Sequence, residues 1–520
     1  MNRWFLAGMA LVIGAALGLR APGLALRPLH NDEGVNAMKF RLLYVNNSYK
    51  YDANEFHGPT LPYLTLPAAW LDGARDFNDI REPVFRAVTA VFGAGLIVLL
   101  LLVAADFGRA DTLWAAALTA VSPAMVFYSR DYIHETLLVF FTALSFFCAW
   151  RHAATGRRRW AVAAGIGLGL MWATKETFVF AVAALALAAG SAAAWGRWRD
   201  KGAGGLPPHW KWKDLLLALV AALAVAALFF SSFFGNAAGL LDAVRTYGPW
   251  LRRAGGATVH THGWAFYFHR LLYFHAAGGP VWSEGLVVAL AAVGCAAGLF
   301  GPSRPLHRLV AFYTIWLTLI YTLPAYKTPW CLLGFYHGMI LLAGAGAALL
   351  VRGCKTGWSK AAAIIVLTVG VAQLGWQAWR GNFALDPGGV PYCDSPKNPY
   401  VYGQTSPDIF RLVSTVEGLA RVSPQGYDTV VEVMSAQSYW PLPWYLRRFN
   451  HAGYWDQIPR QPLAPIMIVS ADLRAAFDER PEKTHLMAGY FQLRPKVFFE
   501  LYVSLPLWSD YVKTLPPGAD

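Results

Sequence analysis

The stretch that decides the fold is DLLLALVAALAVAALFFSSF, residues 214–233, whose only charged residue is Asp214 at its start. Twenty residues of α-helix are about 30 Å long, which matches the hydrocarbon layer of a bilayer. Comparable apolar runs recur from Trp4 to Trp379. A soluble core does not need so many long apolar segments, so the sequence predicts an integral membrane protein.

The composition agrees with this prediction. The 520 residues are 56% hydrophobic and only 14% charged, whereas about a quarter of the residues in soluble domains are charged. The net charge of +13 comes from lysines and arginines in short clusters between apolar runs. Because no single basic face follows, no nucleic-acid partner is expected. The five cysteines lack CxxC spacing and predict neither a disulfide framework nor a zinc site.

Hydropathy predicts about eleven transmembrane helices and an all-α membrane domain. The predicted spans are 4–22, 84–104, 112–128, 136–150, 160–174, 178–196, 214–233, 285–300, 309–323, 331–350 and 361–379. The first run lacks a convincing cleavage site after it, so we interpret it as a retained signal anchor.

The basic clusters predict the orientation. With a cytoplasmic N-terminus, the inner loops receive Arg109, the arginines of 151–159, the basic residues of 197–213, Arg304 with Arg308, and the basic residues of 352–360. An odd number of crossings then places the C-terminal segment outside. We therefore predict a multi-pass protein of the inner (cytoplasmic) membrane with an extracytoplasmic C-terminal domain.

Two long outer loops follow from this topology, at 23–82 and 235–283. The apolar stretch 61–71 is too short to span and predicts an interfacial helix in the first loop. The composition changes after Trp379, so we divide the chain into a transmembrane domain, 1–379, and a small α/β domain, 380–520. In the latter we expect strands at 429–433 and 465–469 and helices at 406–419 and 471–477.

Two polar motifs lie in the first outer loop. His30-Asn31-Asp32-Glu33 follows the first helix, and adjacent carboxylates at a membrane surface favour a base, a metal or a cation as their partner. A helix cap by Asn31 or Asp32 is the alternative, and the two interpretations are compatible. The second motif, residues 51–59, ends in a Gly-Pro turn, where a structural role for His57 is the usual one.

Three further motifs join later helices. Residues 128–135 carry Arg130, Asp131, His134 and Glu135, more ionisable groups than a turn needs. Lys175 and Glu176 lie in a hairpin, and Lys327 lies between the ninth and tenth helices. Each of these lysines can be a phosphate ligand or a simple interfacial anchor.

The predicted topology places all five motifs on the outer face, although none of them was used to derive it. Carboxylates, imidazoles and cations on one face suit the transfer of a group from a membrane-borne phosphate donor. A carboxylate takes the proton of an acceptor hydroxyl, and the cations stabilise the departing phosphate.

Six motifs together resemble the GT-C superfamily of glycosyltransferases that use polyprenyl-phosphate sugars. They are HNDEG (30–34), EFHGP (55–59), SRD (129–131), TKE (174–176), YKTPW (326–330) and PLPWYLR (441–447). The chain is similar to the dolichyl-phosphate-mannose protein mannosyltransferases and the lipid A aminoarabinose transferases, and especially to the bacterial and archaeal flippase-activity-associated proteins.

The resemblance implies a sugar transfer to a lipid, glycan or protein acceptor with inversion at the anomeric carbon. It makes Asp32 the general base and Glu33 its partner. It assigns Arg130, Lys175 and Lys327 to the donor phosphate. The implied substrate-binding residues are His57, Glu55, Arg130, Asp131, His134, Glu135, Lys175, Glu176 and Lys327.

The resemblance leaves a divalent metal at the outer acidic site open, because some members bind one and others do not. The chain departs from the protein mannosyltransferases after residue 400, where no β-trefoil repeat is present, and this departure weakens the case for a protein acceptor. Two other hypotheses remain: a lipid-sugar transporter or flippase-associated factor, and a non-catalytic scaffold. Charges gathered at one surface rather than at the bilayer midplane favour the enzyme over the transporter.

Overall fold

A computed structural model describes residues 3–54, 57–199, 209–254, 260–302, 304–460 and 463–516. The helices of the first half are α1 Arg3–Arg20, α2 Asn31–Asn46, α3 Thr60–Asp72, α4 Glu82–Leu99, α5 Ala104–Phe107, α6 Arg109–Val121, α7 Pro123–Ser129, α8 His134–Thr155, α9 Arg158–Trp172, α10 Phe178–Arg199, α11 Trp212–Phe230, α12 Ala238–Arg245 and α13 Tyr247–Ala254.

The second half contains both helices and strands. Its helices are α14 Phe266–Leu272, α15 Gly285–Phe300, α16 Pro305–Thr322, α17 Leu333–Gly353, α18 Gly357–Phe383, α19 Asp408–Val422, α20 Leu442–Tyr445 and α21 Leu505–Val512. Its strands are β1 Val431–Met434, β2 Ala452–Trp455, β3 Ile466–Ser470, β4 His485–Arg494 and β5 Val497–Ser504.

The chain is a multi-pass membrane protein, and a helix occupies every predicted span. Among the described residues, seven helical stretches are long and apolar enough to cross a membrane, or eight if α6 and α7 form one bent crossing. Two other predicted spans are shorter, since α9 has 15 residues and α15 has 16. The number of eleven crossings therefore stays a prediction.

The predicted helix 112–128 is broken in the structure. The axes of α6 and α7 differ by 58° across Ser122. Pro123 has no N–H to continue the α6 hydrogen-bond ladder, and the Ser122 hydroxyl instead accepts from the Met125 N–H at 3.3 Å. The bend follows from this Ser-Pro pair. A hydropathy value averaged over about 19 residues hardly changes because of two residues, so it does not indicate the bend.

Burial separates central from peripheral helices. In α8 and in the stretch that contains α17, 72% and 78% of the apolar window is buried, whereas the value is 22% for α1, α10, α11 and α18. Because lipid chains are as apolar as leucine, a membrane protein can leave such side chains on its periphery. These two central helices both contribute to the walls of internal cavities.

The described chain divides into two compact units. Unit 1 comprises Met1–Leu24, Leu42–Trp70 and Pro83–Tyr402, and unit 2 comprises Ala25–Arg41, Leu71–Glu82 and Gly403–Asp520. Parts of the first predicted outer loop thus belong with the C-terminal residues. The domain boundary between residues 379 and 380, which the change in composition indicates, stays a prediction.

Unit 2 contains one mixed sheet in the order β2-β1-β3-β5-β4. β1 is parallel to β2 and β3, and β5 is antiparallel to β3 and β4. The small C-terminal α/β domain expected from the sequence is confirmed, with α19 and both predicted strands in place. The helix expected at 471–477 is wrong: Arg474 and Ala476 have φ of 48° and 44°, and this left-handed backbone leaves only two short 3-10 turns.

Candidate functional site

The site in unit 1 begins with two paired loops. The Gly58 N–H donates to the Thr174 carbonyl at 3.0 Å, and the Thr60 N–H donates to the Ala173 carbonyl at 3.1 Å. A Cβ on Gly58 would lie 2.1 Å from the Ala173 oxygen, so only glycine permits this approach. The pairing brings the described part of the EFHGP motif, residues 57–59, next to the TKE motif.

Lys175 of the hairpin forms an ion pair with Glu135 in the first turn of α8. Each side chain is only 7% exposed. Burial acts to lower the pKa of Lys175, but the adjacent Glu135 carboxylate overcomes this effect and raises the pKa above its usual value. The lysine is therefore a cation at neutral pH, and its charge is held in place by Glu135.

Two imidazoles complete this group. His57 Nδ1 lies 3.4 Å from Glu176 Oε2, and the His57 ring centroid lies 4.8 Å from that of His134. The Gly58 carbonyl lies 3.2 Å from His134 Nε2; a carbonyl only accepts, so this nitrogen is the donor. The His57 side chain is 32% exposed while Glu176 is 4% exposed, so His57 is the more accessible member of this pair.

We call these five residues, His57, His134, Glu135, Lys175 and Glu176, the charge cluster. It holds one ammonium, two carboxyl groups and two imidazoles. Carboxylates and imidazoles accept hydrogen bonds from hydroxyl groups and can exchange protons with them. Lys175 can bind a phosphate that displaces Glu135, while the other groups of the cluster can bind hydroxyl groups. The cluster therefore suits a ligand that presents both hydroxyl groups and a phosphate.

Two neighbouring cavities extend along α8 from the charge cluster. The first is lined by Glu135 at one end and by side chains of α8, α10, α16 and α17. The second continues along α8 to Phe147. They share Val139, Thr142 and Tyr313 in their walls. The distance from Glu135 to Phe147 along α8 is about 18 Å, and the lining is mostly apolar.

Arg130 lies outside the charge cluster and binds main-chain carbonyls. Its Nη1 donates to the Arg20 and Pro22 carbonyls at 2.8 and 2.7 Å, and its Nη2 donates to the Gly23 carbonyl at 3.1 Å. The guanidinium carbon lies 4.6 Å from the Phe383 ring centroid. These contacts fix the end of α1. Its neighbour Asp131 is also buried.

Lys327 also binds carbonyls, those of His262 at 3.1 Å and of Pro324. Burial lowers the pKa of Lys327. Beside it, the Tyr402 hydroxyl lies 2.9 Å from His260 Nδ1 and 3.1 Å from His262 Nε2. These two histidines of the second long outer loop thus share a hydrogen-bonding partner, Tyr402.

The acidic motif lies in unit 2, where α2 begins at Asn31. Glu33 is fully buried, and its Oε2 accepts from the His30 N–H at 2.7 Å. The His30 Nδ1 accepts from the Asp32 N–H at 3.2 Å. Glu33 and His30 therefore cap α2, whereas Asp32 stays partly exposed. Of the acidic pair, Asp32 is the more accessible carboxylate.

Within unit 2, the PLPWYLR motif contacts the start of α2. The Leu29 N–H donates to the Tyr445 hydroxyl at 2.9 Å. A Cβ on Gly34 would lie 2.5 Å from the Cβ of Pro441, so α2 approaches the motif closely because residue 34 is glycine. Glu55, another residue expected in the site, lies outside the described residues.

The sequence and the structure are similar to known membrane proteins. Residues 12–236 match the family model described as dolichyl-phosphate-mannose-protein mannosyltransferase. ArnT from Cupriavidus metallidurans, solved with undecaprenyl phosphate, gives a TM-score of 0.61 at 13% identity, with 96% of this chain and 98% of that chain covered. The chain has the GT-C fold.

Other structures with the GT-C fold also match. The Archaeoglobus fulgidus oligosaccharyltransferase tethered with an acceptor peptide gives a TM-score of 0.56 at 13% identity, with 88% of this chain and 64% of that chain covered. The arabinofuranosyltransferase AftD from Mycobacteria gives 0.51 at 14% identity, with 97% and 40% covered. The chain thus spans less than two thirds of the length of these two proteins. No curated protein sequence matches it.

Sequence analysis missed one buried carboxylate of this chain. Glu284, just before α15, accepts from the Ser122 hydroxyl at 2.6 Å, the Ala124 N–H at 2.8 Å, the Tyr336 hydroxyl at 2.6 Å and the Tyr400 hydroxyl at 2.5 Å. Burial raises the pKa of Glu284, although the four donors oppose this shift. The available signal was a lone glutamate at the start of an apolar run.

Among the described residues, no three His, Cys, Asp or Glu side chains are grouped closely enough to hold a metal ion. The described donor groups therefore do not fit a metal centre, and no step of the proposed reaction is assigned to one.

Proposed function

We propose that this protein is a membrane glycosyltransferase that moves a sugar from a polyprenyl-phosphate-linked donor to a hydroxyl group of a lipid, glycan or protein acceptor. The observation that carries the proposal is the charge cluster at the head of two cavities along α8. A polyprenyl-phosphate sugar has the same division, with a polar headgroup on a long apolar chain. The ArnT structure contains undecaprenyl phosphate, and a structure of the A. fulgidus enzyme AglB contains dolichol phosphate.

The charge cluster suits the headgroup of such a donor. Lys175 supplies a buried positive charge, while the imidazole of His57 and the carboxylate of Glu176 can accept hydrogen bonds from sugar hydroxyls. Glu135 holds the lysine before the donor arrives and competes with the phosphate for it. We assign His57, Glu55, His134, Glu135, Lys175 and Glu176 to substrate binding.

We place the first isoprenoid units of the donor against the apolar walls of these cavities. Their walls carry Leu138, Val139, Phe146, Leu317 and Leu341. Burying apolar surface contributes about 25 cal/mol per Å², so an isoprenoid chain in this position would strengthen donor binding without taking part in the reaction.

For the reaction, we assign Asp32 as the general base and Glu33 as the residue that caps its helix. Asp32 takes the proton from the acceptor, and the acceptor atom attacks the anomeric carbon of the donor. The bond from that carbon to the phosphate oxygen breaks, and the polyprenyl phosphate leaves with the electron pair. A single displacement inverts the anomeric configuration. Arg130, Asp131 and Lys327 remain proposed substrate-binding residues.

The proposed compartment is the outer face of the cytoplasmic membrane, with the N-terminus in the cytosol. This orientation rests on the arginine and lysine clusters between the apolar runs. Cysteine labelling at Asp52 and His275, which are exposed positions of the two long outer loops, tests it, because both positions must react with an impermeant reagent from outside the cell.

A complementation experiment tests the function. A deletion strain is complemented with the wild-type chain, with Asp32→Asn, or with Asp52→Asn, and its lipids and envelope glycans are analysed by mass spectrometry. Asp52 is a matched control, since it is an exposed aspartate of the same predicted loop whose carboxylate accepts from Asn54. We expect donor lipid to accumulate in the deletion strain and in Asp32→Asn but not in Asp52→Asn.

Two results would contradict this function. A normal glycan profile in the Asp32→Asn strain would remove the general base from the proposal. Headgroup translocation across reconstituted vesicles without formation of a glycosidic bond would favour a transporter instead.

A further inference from the structure

A third cavity lies at the other end of α8. It has a volume of about 230 Å³ and is lined by residues that include Phe5, Leu101, Leu102, Arg109, Arg151 and Trp160. Arg151 lies 16 residues after Glu135 on α8, which corresponds to about 24 Å along the helix axis. The cavity is therefore separate from the charge cluster and from the two cavities next to it.

The polar half of this cavity has a surplus of positive charge. Arg151 Nη1 lies 3.4 Å from Asp106 Oδ2, and the Arg159 guanidinium carbon lies 5.1 Å from the Trp160 ring centroid. Arg109 is exposed and forms no ion pair with any residue that the structure describes. Two guanidinium groups, those of Arg109 and Arg151, therefore line the cavity, and only Arg151 is paired with a carboxylate, which leaves an unbalanced charge for an anion.

The other half is apolar. Phe5 of α1 is 7% exposed, and Leu101 and Leu102 are partly exposed beside it. On α1 itself, Leu11 is 76% exposed, as expected for a helix that faces acyl chains. An apolar wall next to arginines at the end of a transmembrane bundle matches an amphiphile better than a soluble anion.

A nearby cluster of basic residues has a different arrangement. Asp111 accepts from Arg352 Nη1 at 2.7 Å and from Nη2 at 3.1 Å, and it also lies 3.3 Å from His307 Nε2. There the Asp111 carboxylate already accepts from both Nη groups of Arg352. The cavity beside Arg109 differs because its arginines retain donors for an external group.

We propose that this third cavity binds the headgroup of an anionic glycerophospholipid. Its phosphate oxygens accept from Arg109 and Arg151, because a guanidinium presents paired donors that match a phosphate. The Trp160 ring lies beside the glycerol region, where indoles are common in membrane proteins. One acyl chain packs against Phe5, Leu101 and Leu102. A zwitterionic lipid binds more weakly, because its ammonium group faces the same arginines.

Lipid retention by the full-length protein tests this site. The purified protein is incubated in detergent micelles doped with phosphatidylglycerol or with phosphatidylcholine, and the bound lipid is quantified by mass spectrometry. The variants are Arg109→Gln, Arg151→Gln and the double variant. Arg197→Gln/Arg199→Gln is the matched control, since both arginines are exposed at the same end of the bundle, on α10.

We expect phosphatidylglycerol affinity to fall about fivefold for each single variant and about thirtyfold for the double variant. The control variant retains wild-type affinity, and phosphatidylcholine binds more weakly throughout. Elution volume and melting temperature confirm that each variant is folded.

Three results would overturn the proposal. They are equal retention by the double variant and the wild type, an equal loss in the Arg197/Arg199 control, and displacement of the lipid by inorganic phosphate at millimolar concentration. The last would mean that the acyl chain contributes nothing to binding.

Discussion

The ammonium of Lys175 donates to the carboxylate of Glu135, and both side chains are buried between the 173–177 hairpin and α8. The raised pKa of Lys175 keeps its positive charge at neutral pH. Neither charge can be removed alone without leaving the other buried and uncompensated. The pair is therefore both a structural contact and the cationic part of the proposed donor site.

Single substitutions of this pair should destabilise the protein more than the double substitution does. We expect Lys175→Met and Glu135→Met each to lower the free energy of unfolding by about 3–5 kcal/mol, and Lys175→Met/Glu135→Met to recover most of that loss. All three should lack transfer activity. Melting temperatures in detergent and donor turnover measure the two effects. Additive losses of stability would show that the two charges are not coupled.

Gly58→Ala should disturb the paired loops that carry His57 and Lys175. Its Cβ would meet the Ala173 carbonyl oxygen at 2.1 Å, so the loops must separate. We expect the free energy of unfolding to fall by about 1–3 kcal/mol and the transfer activity to fall strongly. Gly190→Ala on α10 is the control, because no described atom beyond its own stretch of helix lies within 4 Å of its Cβ position. Equal melting temperatures for the two variants would contradict the close approach.

Stability should depend on His262 below neutral pH. Burial lowers the pKa of His262, and the charges of Arg270, His260 and Lys327 add to this effect. Between the lowered pKa and the ordinary value of about 6.5, the unfolded chain binds a proton that the folded chain does not. Stability therefore rises with pH across this window and is lost as pH falls through it.

The measurement is the melting temperature between pH 5 and pH 8. His262→Asn should reduce the slope, while His451→Asn, at an exposed position of unit 2, should leave it unchanged. The Tyr402 hydroxyl and the stacked Phe266 ring also face His262, so Tyr402→Phe serves as a second control for a lost hydrogen bond without a lost titration. An unchanged slope in His262→Asn would rule out this residue as the origin.

Glu284→Ala should be among the most destabilising substitutions outside the charge cluster. It leaves the donors of Ser122, Ala124, Tyr336 and Tyr400 without their acceptor. We expect the free energy of unfolding to fall by about 3–5 kcal/mol in Glu284→Ala. For Tyr400→Phe, which removes one donor, we expect a fall of about 1.5–3 kcal/mol. Chemical denaturation of both variants in detergent measures the two values. A loss no larger than that of Tyr400→Phe would mean that these donors find other partners.

Most of the membrane helices could be predicted from the sequence, because an uninterrupted apolar run has few alternatives to a helix in a bilayer. The bend at Ser122 was missed because one proline changes a hydropathy window little. Strands β4 and β5 were missed as well. Their pairing shifts register at Met487/Gly489 and Gln492/Arg494, and such irregularities obscure the alternation by which a strand is recognised.

The charge cluster could be predicted only as a set of motifs on one face. The sequence placed Lys175 and Glu135 in separate loops and could not indicate that they pair, because their contact depends on how the hairpin meets α8. Glu284 had no motif at all, since its partners lie 52 to 162 positions away.

The discontinuity of unit 2 has a consequence for biosynthesis. Residues 25–41 leave the ribosome early, but the Tyr445 hydroxyl that accepts from Leu29 is made 416 residues later. At about 5–20 residues per second, translation of this interval takes roughly 20–80 s. During that time residues 25–41, which carry Asp32, cannot contact residues 403–520 of unit 2. Unit 2 therefore completes its folding only near the end of synthesis. A fragment that begins at residue 403 would lack this segment altogether.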